Sequence, residues 1–446
     1  MNATMSSRAD TSRRRGPALD VAVVGGGMVG AATALALARA GFATALIEAR
    51  APAPWLVTDE IDLRVVGLAP SSIALLDDLG VWTSIRTSRA SPYAHMHVWD
   101  AANGAAVHFD AASEGRDLLG YIVENNLVQW QLWQALETAG VQRLCPAQVS
   151  GYEVLEDRVQ LALRGAQVES VAARLLVAAD GAASPLRAMA GIETKGRDYA
   201  QRGVVAHVQT ERPHQGTAWQ RFLDTGPLAL LPLADGRCSI VWSLPDDEAQ
   251  RVLALDDEAF FAELGVASDF RLGRVTDATK RAAFPLRLQL AQTYQAERFV
   301  LLGDAAHAVH PLAGQGVNLG LRDVVELRDV LMNARDAGVD IAAAHVLRRY
   351  ARRRRSADTI DALGFDTLAR VYAWQSAPLV AARGLGVRLI DKLSPIKRKL
   401  AGHAAGEQRW SVDDIEALFN LPFPELMHRA RRYRPPLSRT TAWRKS

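Results

Sequence analysis

The 446-residue sequence predicts an α/β fold in three parts: a Rossmann-like domain of βαβ units on a parallel sheet, an antiparallel-sheet domain, and a C-terminal helical region. Three observations lead there. An apolar run from Leu19 to Val24 is followed by Gly25-Gly26-Gly27-Met28-Val29-Gly30 and then by Ala31 to Ala40; strand, G-x-G-x-x-G and helix stand in the order of the dinucleotide fingerprint. Residues 196 to 285 hold short alternating runs, among them Gly203 to Val208, Ala218 to Phe222 and Ser239 to Ser243, with turn signals such as Ala234-Asp235-Gly236 between them. That spacing predicts antiparallel strands. After Gly320 the pattern becomes helical.

Each element has its reason. Gly25 permits the tight turn, Gly27 lets backbone approach a pyrophosphate, and Gly30 allows the helix to pack on the strand. The second strand, Ala43 to Ile47, ends in Glu48, placed for the ribose hydroxyls of an adenosine. A smaller insertion from Ala94 to Phe109 carries Asn103-Gly104 as a hairpin turn and should join the antiparallel sheet. Mid-chain, the apolar run Ala173 to Ala179 leads into Asp180-Gly181-Ala182-Ala183-Ser184-Pro185-Leu186-Arg187. A third strand, Phe299 to Leu302, ends at Gly303-Asp304, where a carboxylate can accept hydrogen bonds from ribityl or ribose hydroxyls. The stretch His310-Pro311-Leu312-Ala313-Gly314-Gln315-Gly316 brings bare backbone against a flat ligand. A helix from about Val317 would then aim its N–H groups at negative charge on that ligand.

Bulk properties exclude more than they specify. A net charge of +3 gives no reason to expect nucleic acid as a partner, and two cysteines, Cys145 and Cys238, build neither a disulfide framework nor a metal cluster. No metal site is expected. Residues 1–17 read as a disordered lead without the apolar core of a signal peptide. No run reaches the roughly 18 to 20 uncharged apolar residues of a membrane span, apart from the glycine-broken first motif. The expected location is cytoplasmic. The run Arg348-Arg349-Tyr350 to Arg352-Arg353-Arg354-Arg355 reads as the solvated face of a long helix. Residues 363 to 400 end in Lys397-Arg398-Lys399 and suit either a helical pair on a bilayer surface or an ordinary cap on the sheet. Ser411 opens a short amphipathic helix, and a basic tail follows from Arg429.

Taken together, Gly25/Gly27/Gly30, D-G-x-x-S-x-x-R at Asp180, Gly181, Ser184 and Arg187, and G-D at Gly303-Asp304 resemble the three marks of the class A FAD-dependent aromatic monooxygenases, which have a p-hydroxybenzoate hydroxylase-like fold. Within them, the stretch His310 to Gly316 with Asn318, Gly320 and Asp323 resembles the ubiquinone-biosynthesis hydroxylases of the UbiH/UbiF/VisC/COQ6 type. Asp62-Leu63-Arg64-Val65, Leu119 to Asn125, and Gln220-Arg221-Phe222 before Gly226-Pro227-Leu228-Ala229 match as well. The resemblance implies a discontinuous FAD-binding domain of residues 18–93, 118–195 and 286–345. It implies a substrate-binding sheet domain of 94–117 and 196–285, C-terminal helices over 346–406, and a basic tail over 407–446.

It also implies FAD as cofactor, NAD(P)H as transient co-substrate, and hydroxylation of the ring of a polyprenyl phenol or benzoquinol by O2 through a flavin C4a-hydroperoxide. Implied cofactor contacts are Gly25, Gly27, Met28, Val29, Gly30, Glu48, Arg64, Gln129, Asp180, Gly181, Arg187, Gly303, Asp304, Pro311, Gly314, Gln315, Gly316, Val317 and Asn318. The flavin carries the chemistry, so no side chain is required as a catalyst; His310 is a candidate to polarise a phenol, against the plainer role of satisfying loop carbonyls. Trp219, Arg221, Phe222 and Leu230, with Leu228, Leu231 and Trp242, would line a site for a ring with an isoprenoid tail, or pack a core. Other ubiquinone-biosynthesis proteins and a peripheral contact on the cytoplasmic face of the inner membrane are the implied partners. Three alternatives stay open: a hydroxylase of a small soluble aromatic compound, a reductase or halogenase on the same scaffold (the halogenase segment W-x-W-x-I-P is absent), and a non-catalytic flavin-binding scaffold.

Overall fold

A parallel sheet forms where strands are buried on both faces and read as continuous apolar runs. Leu19–Val24, Thr44–Ile47 and the end of Ser170–Ala178 are such runs, and in the computed structural model they lie side by side. The structure describes residues 19–309, 316–372 and 376–406, the side chains of 360–370 and 394–396 excepted. The expectations for residues 1–17, for His310 to Gln315 and for the tail over 407–446 fall outside the described residues.

Across the parallel core the order is Gln142–Leu144, Thr44–Ile47, Leu19–Val24, Ser170–Ala178, Phe299–Leu301. The chain fills one side of Leu19–Val24 first and only later the other. Strand order therefore reverses between Leu19–Val24 and Ser170–Ala178, and ligands of open α/β sheets bind in the crevice at such a switch point. The helix Met28–Arg39 covers this sheet, its alanines letting it lie close to the helices Asn125–Thr138 and Gly316–Asp336.

The second sheet is nine-stranded. Thr194–Thr210, Thr217–Phe222, Pro227–Pro232 and Cys238–Pro245 make up its centre, and the hairpin His95–Asp100/Ala106–Asp110 joins it through Thr217–Phe222. Its two faces are covered differently. Val204, Leu228, Leu230, Ile240 and Trp242 face the helices Asp246–Ala254 and Asp257–Ala267 and form one core. Ala218, Ala229 and Leu231 face the other way and pack with Ile61 and Ile122. A three-stranded sheet carries these last two contacts into place: Val65–Leu68 pairs with Gly120–Glu124, Val65 opposite Glu124. Buried Glu124 accepts hydrogen bonds from Arg89 at 2.8 Å and from the Asp62 N–H at 2.9 Å, which holds the Asp62–Arg64 segment over this face.

One sequence expectation is corrected here. The run Arg352 to Arg355 is not uniformly solvated: Arg354 is 2% exposed and ion-paired to Asp323 and Asp358, because a helix places one residue in three or four on its inner face. The helix Ala377–Lys392 docks on the edge hairpin through polar contacts rather than an apolar face alone. Its Arg383 donates to both Asp100 oxygens, at 2.6 and 2.9 Å, and to the carbonyls of Val371 and Tyr372, while Phe222 stacks on Tyr372 at 3.7 Å. No helix among the described residues is long and apolar enough to cross a membrane.

Arg383→Met should lower the free energy of unfolding by about 3–5 kcal/mol, since it leaves the buried Asp100 carboxylate without its cation, with only the Asn103 amide and the Ala102 N–H as donors. Denaturant titration followed by tryptophan fluorescence checks this; a loss under 1 kcal/mol would mean the pair holds nothing in place.

Candidate functional site

All the strand ends that matter open on one edge. Gly25 follows Leu19–Val24, Glu48 follows Thr44–Ile47, Asp180 follows Ser170–Ala178, and Gly303 follows Phe299–Leu301. Each sits beyond the C-terminal end of a parallel strand, at or beside the switch point.

The first turn is built by steric necessity. Gly25 has φ of +105°, and a Cβ there would lie 2.3 Å from the Ala179 carbonyl oxygen. A Cβ on Gly30 would lie 1.8 Å from the Gly25 oxygen, so the helix can seat on its own turn only with glycine. Gly27 differs. A Cβ there meets nothing within 4 Å, which leaves open space beside the N-terminus of the Met28–Arg39 helix, where the first N–H groups have no intrahelical partner. The Gly26 peptide is held from both sides: its N–H donates to Glu48 Oε2, and its carbonyl accepts from Gln129 Nε2 at 2.7 Å. Gln129, expected as a cofactor contact, thus grips the backbone of the first glycine turn.

The second motif is a capped turn. Asp180 accepts from Ser184 Oγ at 2.6 Å and from the Leu186 N–H at 3.1 Å, and Ser184 Oγ accepts from the Arg187 N–H at 2.9 Å. Arg187 is buried, not a surface cation. It donates to the carbonyls of Ala182 and Ala305, each at 2.8 Å. Burial pushes its pKa down, with Asp180 opposing.

The third motif closes the ring. A Cβ on Gly303 would come within 3.1 Å of the Val29 side chain, and one on Gly320 within 2.5 Å. Val29, expected at the cofactor, is therefore wedged between two glycines of the third motif, while Met28 beside it is half-buried. Asp304 is exposed, yet surrounding protein raises its carboxyl pKa, with His307 acting in the opposite direction.

Other expected residues are placed differently. The Asn318 side chain is committed to protein: Oδ1 accepts from the Ala69 N–H at 3.0 Å and Ser72 Oγ at 2.7 Å, and Nδ2 donates to the Gly67 carbonyl at 2.7 Å. Its backbone, with Gly316 and Val317, lies in the first turn of the Gly316–Asp336 helix. Arg64 is exposed and lies 5.9 Å from the Phe284 ring. His310, Pro311, Gly314 and Gln315 fall outside the described residues.

The expected substrate lining is split by the period of the strand. Trp219 opposes Leu230 and Arg221 opposes Leu228, so these residues, with Trp242, share the helix-covered face, away from Ile61 and Ile122. Arg221 donates there to the carbonyls of Val266 and Ala267. Phe222, one residue on, points to the other face, against Tyr372. The face turned to Arg64 carries Val241 and Phe284, which the sequence did not single out; their alternation with Trp242 and Ala283 was the available signal.

A dinucleotide with a flavin ring fits this edge: an open Gly27, a strand-end acid at Glu48, a solvent-facing acid at Asp304 and the start of the Met28–Arg39 helix. Residues 18–359 match the family described as FAD binding domain. The chain belongs to it, and it is an FAD-dependent monooxygenase. It is 39% identical to 3-demethoxyubiquinol 3-hydroxylase of Escherichia coli, over 87% of this chain and 98% of that protein. Identity is 36% with ubiquinone hydroxylase UbiL of Rhodospirillum rubrum, covering 90% and 93% of the two chains. It is 32% with the mitochondrial ubiquinone biosynthesis monooxygenase COQ6 of Homo sapiens, covering 86% and 92%. Among solved structures, p-nitrophenol 4-monooxygenase PnpA of Pseudomonas putida superposes with a TM-score of 0.71 at 20% identity, over 88% of this chain and 99% of that one. HpxO of Klebsiella pneumoniae, complexed with FAD and uric acid, gives 0.66 at 20% identity, over 87% and 96%.

Gly27→Val should leave the apoprotein folded, with unchanged far-UV circular dichroism, and weaken FAD binding about 100-fold, since its side chain enters only ligand space. Gly25→Val should not fold. A Gly27→Val protein that keeps its yellow cofactor would refute the placement of the dinucleotide.

Proposed function

We propose that this monooxygenase hydroxylates the aromatic ring of a polyprenyl phenol or benzoquinol in ubiquinone biosynthesis, with NAD(P)H and O2 as co-substrates. The observation that carries the reading is the 39% identity extending over 98% of 3-demethoxyubiquinol 3-hydroxylase. The redox chemistry, electron transfer from NAD(P)H to O2 and oxygen insertion into the ring, is what bound FAD supplies.

The chain's own residues then bind, orient and exclude water. Glu48 and Asp304 would accept hydrogen bonds from cofactor hydroxyls, the Gly27 turn would admit the phosphates, and the N–H groups at Gly316 and Val317 would stabilise negative charge. Arg187 holds the Ala305 carbonyl and so ties the second motif to the third. The substrate would lie against the sheet face that carries Val241 and Phe284, beneath the Asp62–Val65 segment, since this is the apolar face turned to the nucleotide-binding half. Phe284, 40% exposed, is a surface an oily ring can cover. An oily substrate also favours peripheral contact with the membrane that stores it.

The test is turnover with quinols and phenols of graded tail length under isotopically labelled dioxygen. Labelled hydroxylated product, with kcat/KM about tenfold or more higher for the prenylated ring, is expected. Equal turnover of tail-less phenols would sink the substrate class. Phe284→Ala should raise KM about tenfold while retaining FAD. Leu230→Ala, on the opposite face, should instead cost about 2–5 kcal/mol of stability and leave KM unchanged.

A further inference from the structure

Behind the Gly303-Asp304 turn lies a cluster of charges with no contact to solvent. Asp323 Oδ2, on the Gly316–Asp336 helix, accepts the Gly303 N–H at 2.8 Å and lies 2.6 Å from His307 Nε2. Its other oxygen accepts from Arg354 Nε, and Arg354 Nη2 donates to Asp358 and to the Leu319 carbonyl. Asp358 in turn lies 3.6 Å from His307 Nε2. All four side chains are at most 2% exposed. His307, Asp323 and Asp358 bring their donor atoms within 4.8 Å of one another, but the guanidinium of Arg354 already takes both carboxylates, so the cationic position between them is filled.

Buried ion clusters are poor contributors to stability, because desolvation offsets much of their Coulomb attraction. What this one does is geometric. A single carboxylate oxygen receives both the first residue of the turn, Gly303, and its last, His307. Asp304 lies between them, and Gly303 is held at φ of +56°. The turn is thereby closed from behind, with the Asp304 side chain directed outward. At its far end, His307–Ala308 pairs with Ala282–Ala291, so the same oxygen also anchors the crossing into the antiparallel sheet.

We propose that His307 and Arg354, acting through Asp323, are positioning residues for FAD: the buried cluster holds the Gly303–His307 turn so that Asp304 stays presented to the cofactor. The proposal rests on the reading of Asp304 as a cofactor contact. The groups facing His307 are Asp323 on one helix, Arg354 and Asp358 on the next, Tyr294 before the last parallel strand with ring centroids 6.0 Å apart, and Asp304 on its own turn. Burial alone would lower the His307 pKa, but Asp358 and Asp323 outweigh it and push the value up to about 9. With His307 protonated, two cations balance two carboxylates. Without its proton the cluster is left with excess negative charge next to Asp304.

The experiment is FAD titration of apoprotein by flavin fluorescence, on wild type, Asp304→Ala, His307→Gln and the double variant, with apoprotein melting recorded in parallel. His307→Gln is expected to raise the FAD Kd about tenfold or more, and to add no further loss on the Asp304→Ala background, the signature of action through that residue. An unchanged Kd in His307→Gln, whatever its melting temperature, would reduce the cluster to a structural role and overturn the proposal, as would equal losses in both backgrounds. Asp304→Ala with full affinity would instead overturn the site reading on which the proposal stands. Should His307→Gln not fold, wild type decides. Its His307 pKa in the fold exceeds the ordinary 6.5, so the stabilisation is complete below about 6.5 and lost as pH rises through about 9. Apoprotein melting temperature and FAD affinity should both fall across that upper range; an affinity flat to pH 10 refutes the clamp.

Discussion

The constraint on which the rest depends is a three-way steric closure among segments far apart in sequence. Gly25 lies against the Ala179 carbonyl, Val29 is wedged against Gly303 and Gly320, and Arg187 reaches the Ala305 carbonyl. Each motif thus touches the other two before any ligand arrives. Two of the three contacts are possible only because a Cβ is missing, and the third uses the side chain with the most donors in fixed geometry. Discontinuity along the chain follows from the sheet. The parallel strands that bear the motifs enter it from both sides of a switch point, so the intervening stretches have to be housed elsewhere.

The antiparallel sheet is joined to the parallel one by a short connection. Phe299–Leu301 belongs to the parallel sheet and His307–Ala308 to the antiparallel one, so the chain changes sheets within the turn that carries Asp304. On the far side, Arg383 pins the Ala377–Lys392 helix to Asp100 of the edge hairpin, and the Ser71 N–H donates to the Ala405 carbonyl at 3.1 Å. The C-terminal helices therefore run from the antiparallel sheet back to the start of the Pro70–Asp78 helix, and brace the two sheets at a second point.

Much of this was legible in the residues. The glycine spacing, the acids at strand ends and the D-G-x-x-S-x-x-R turn were readable because each answers to a local rule: a positive φ, a close approach, a capped helix start. What the sequence left ambiguous was phase and partner. Period-2 alternation says that Trp219 and Phe222 face opposite ways, but which way is the crevice depends on Ile61 and Ile122, which arrive from elsewhere in the chain. Asn318 and Gln129 stand where a cofactor contact is expected, and tertiary contacts at Gly67, Ala69 and Gly26 engage their amides instead. Arg354 stands in a run of arginines that no composition argument can divide into buried and solvated members.

Buried arginines recur wherever two segments must be held at a defined angle. Arg187 holds carbonyls, Arg383 a carboxylate and two carbonyls, Arg354 two carboxylates and a carbonyl. A planar guanidinium with five donors fixes direction as well as distance, which a lysine ammonium does not. An apolar contact tolerates sliding; a bidentate fork does not. In a fold whose three glycine and acid motifs meet from distant parts of the chain, sliding by a fraction of an ångström would misplace every contact between them at once. The arginines stand at the joints where such sliding would begin: between second and third motif, between third motif and the helices behind it, and between the C-terminal helices and the antiparallel sheet.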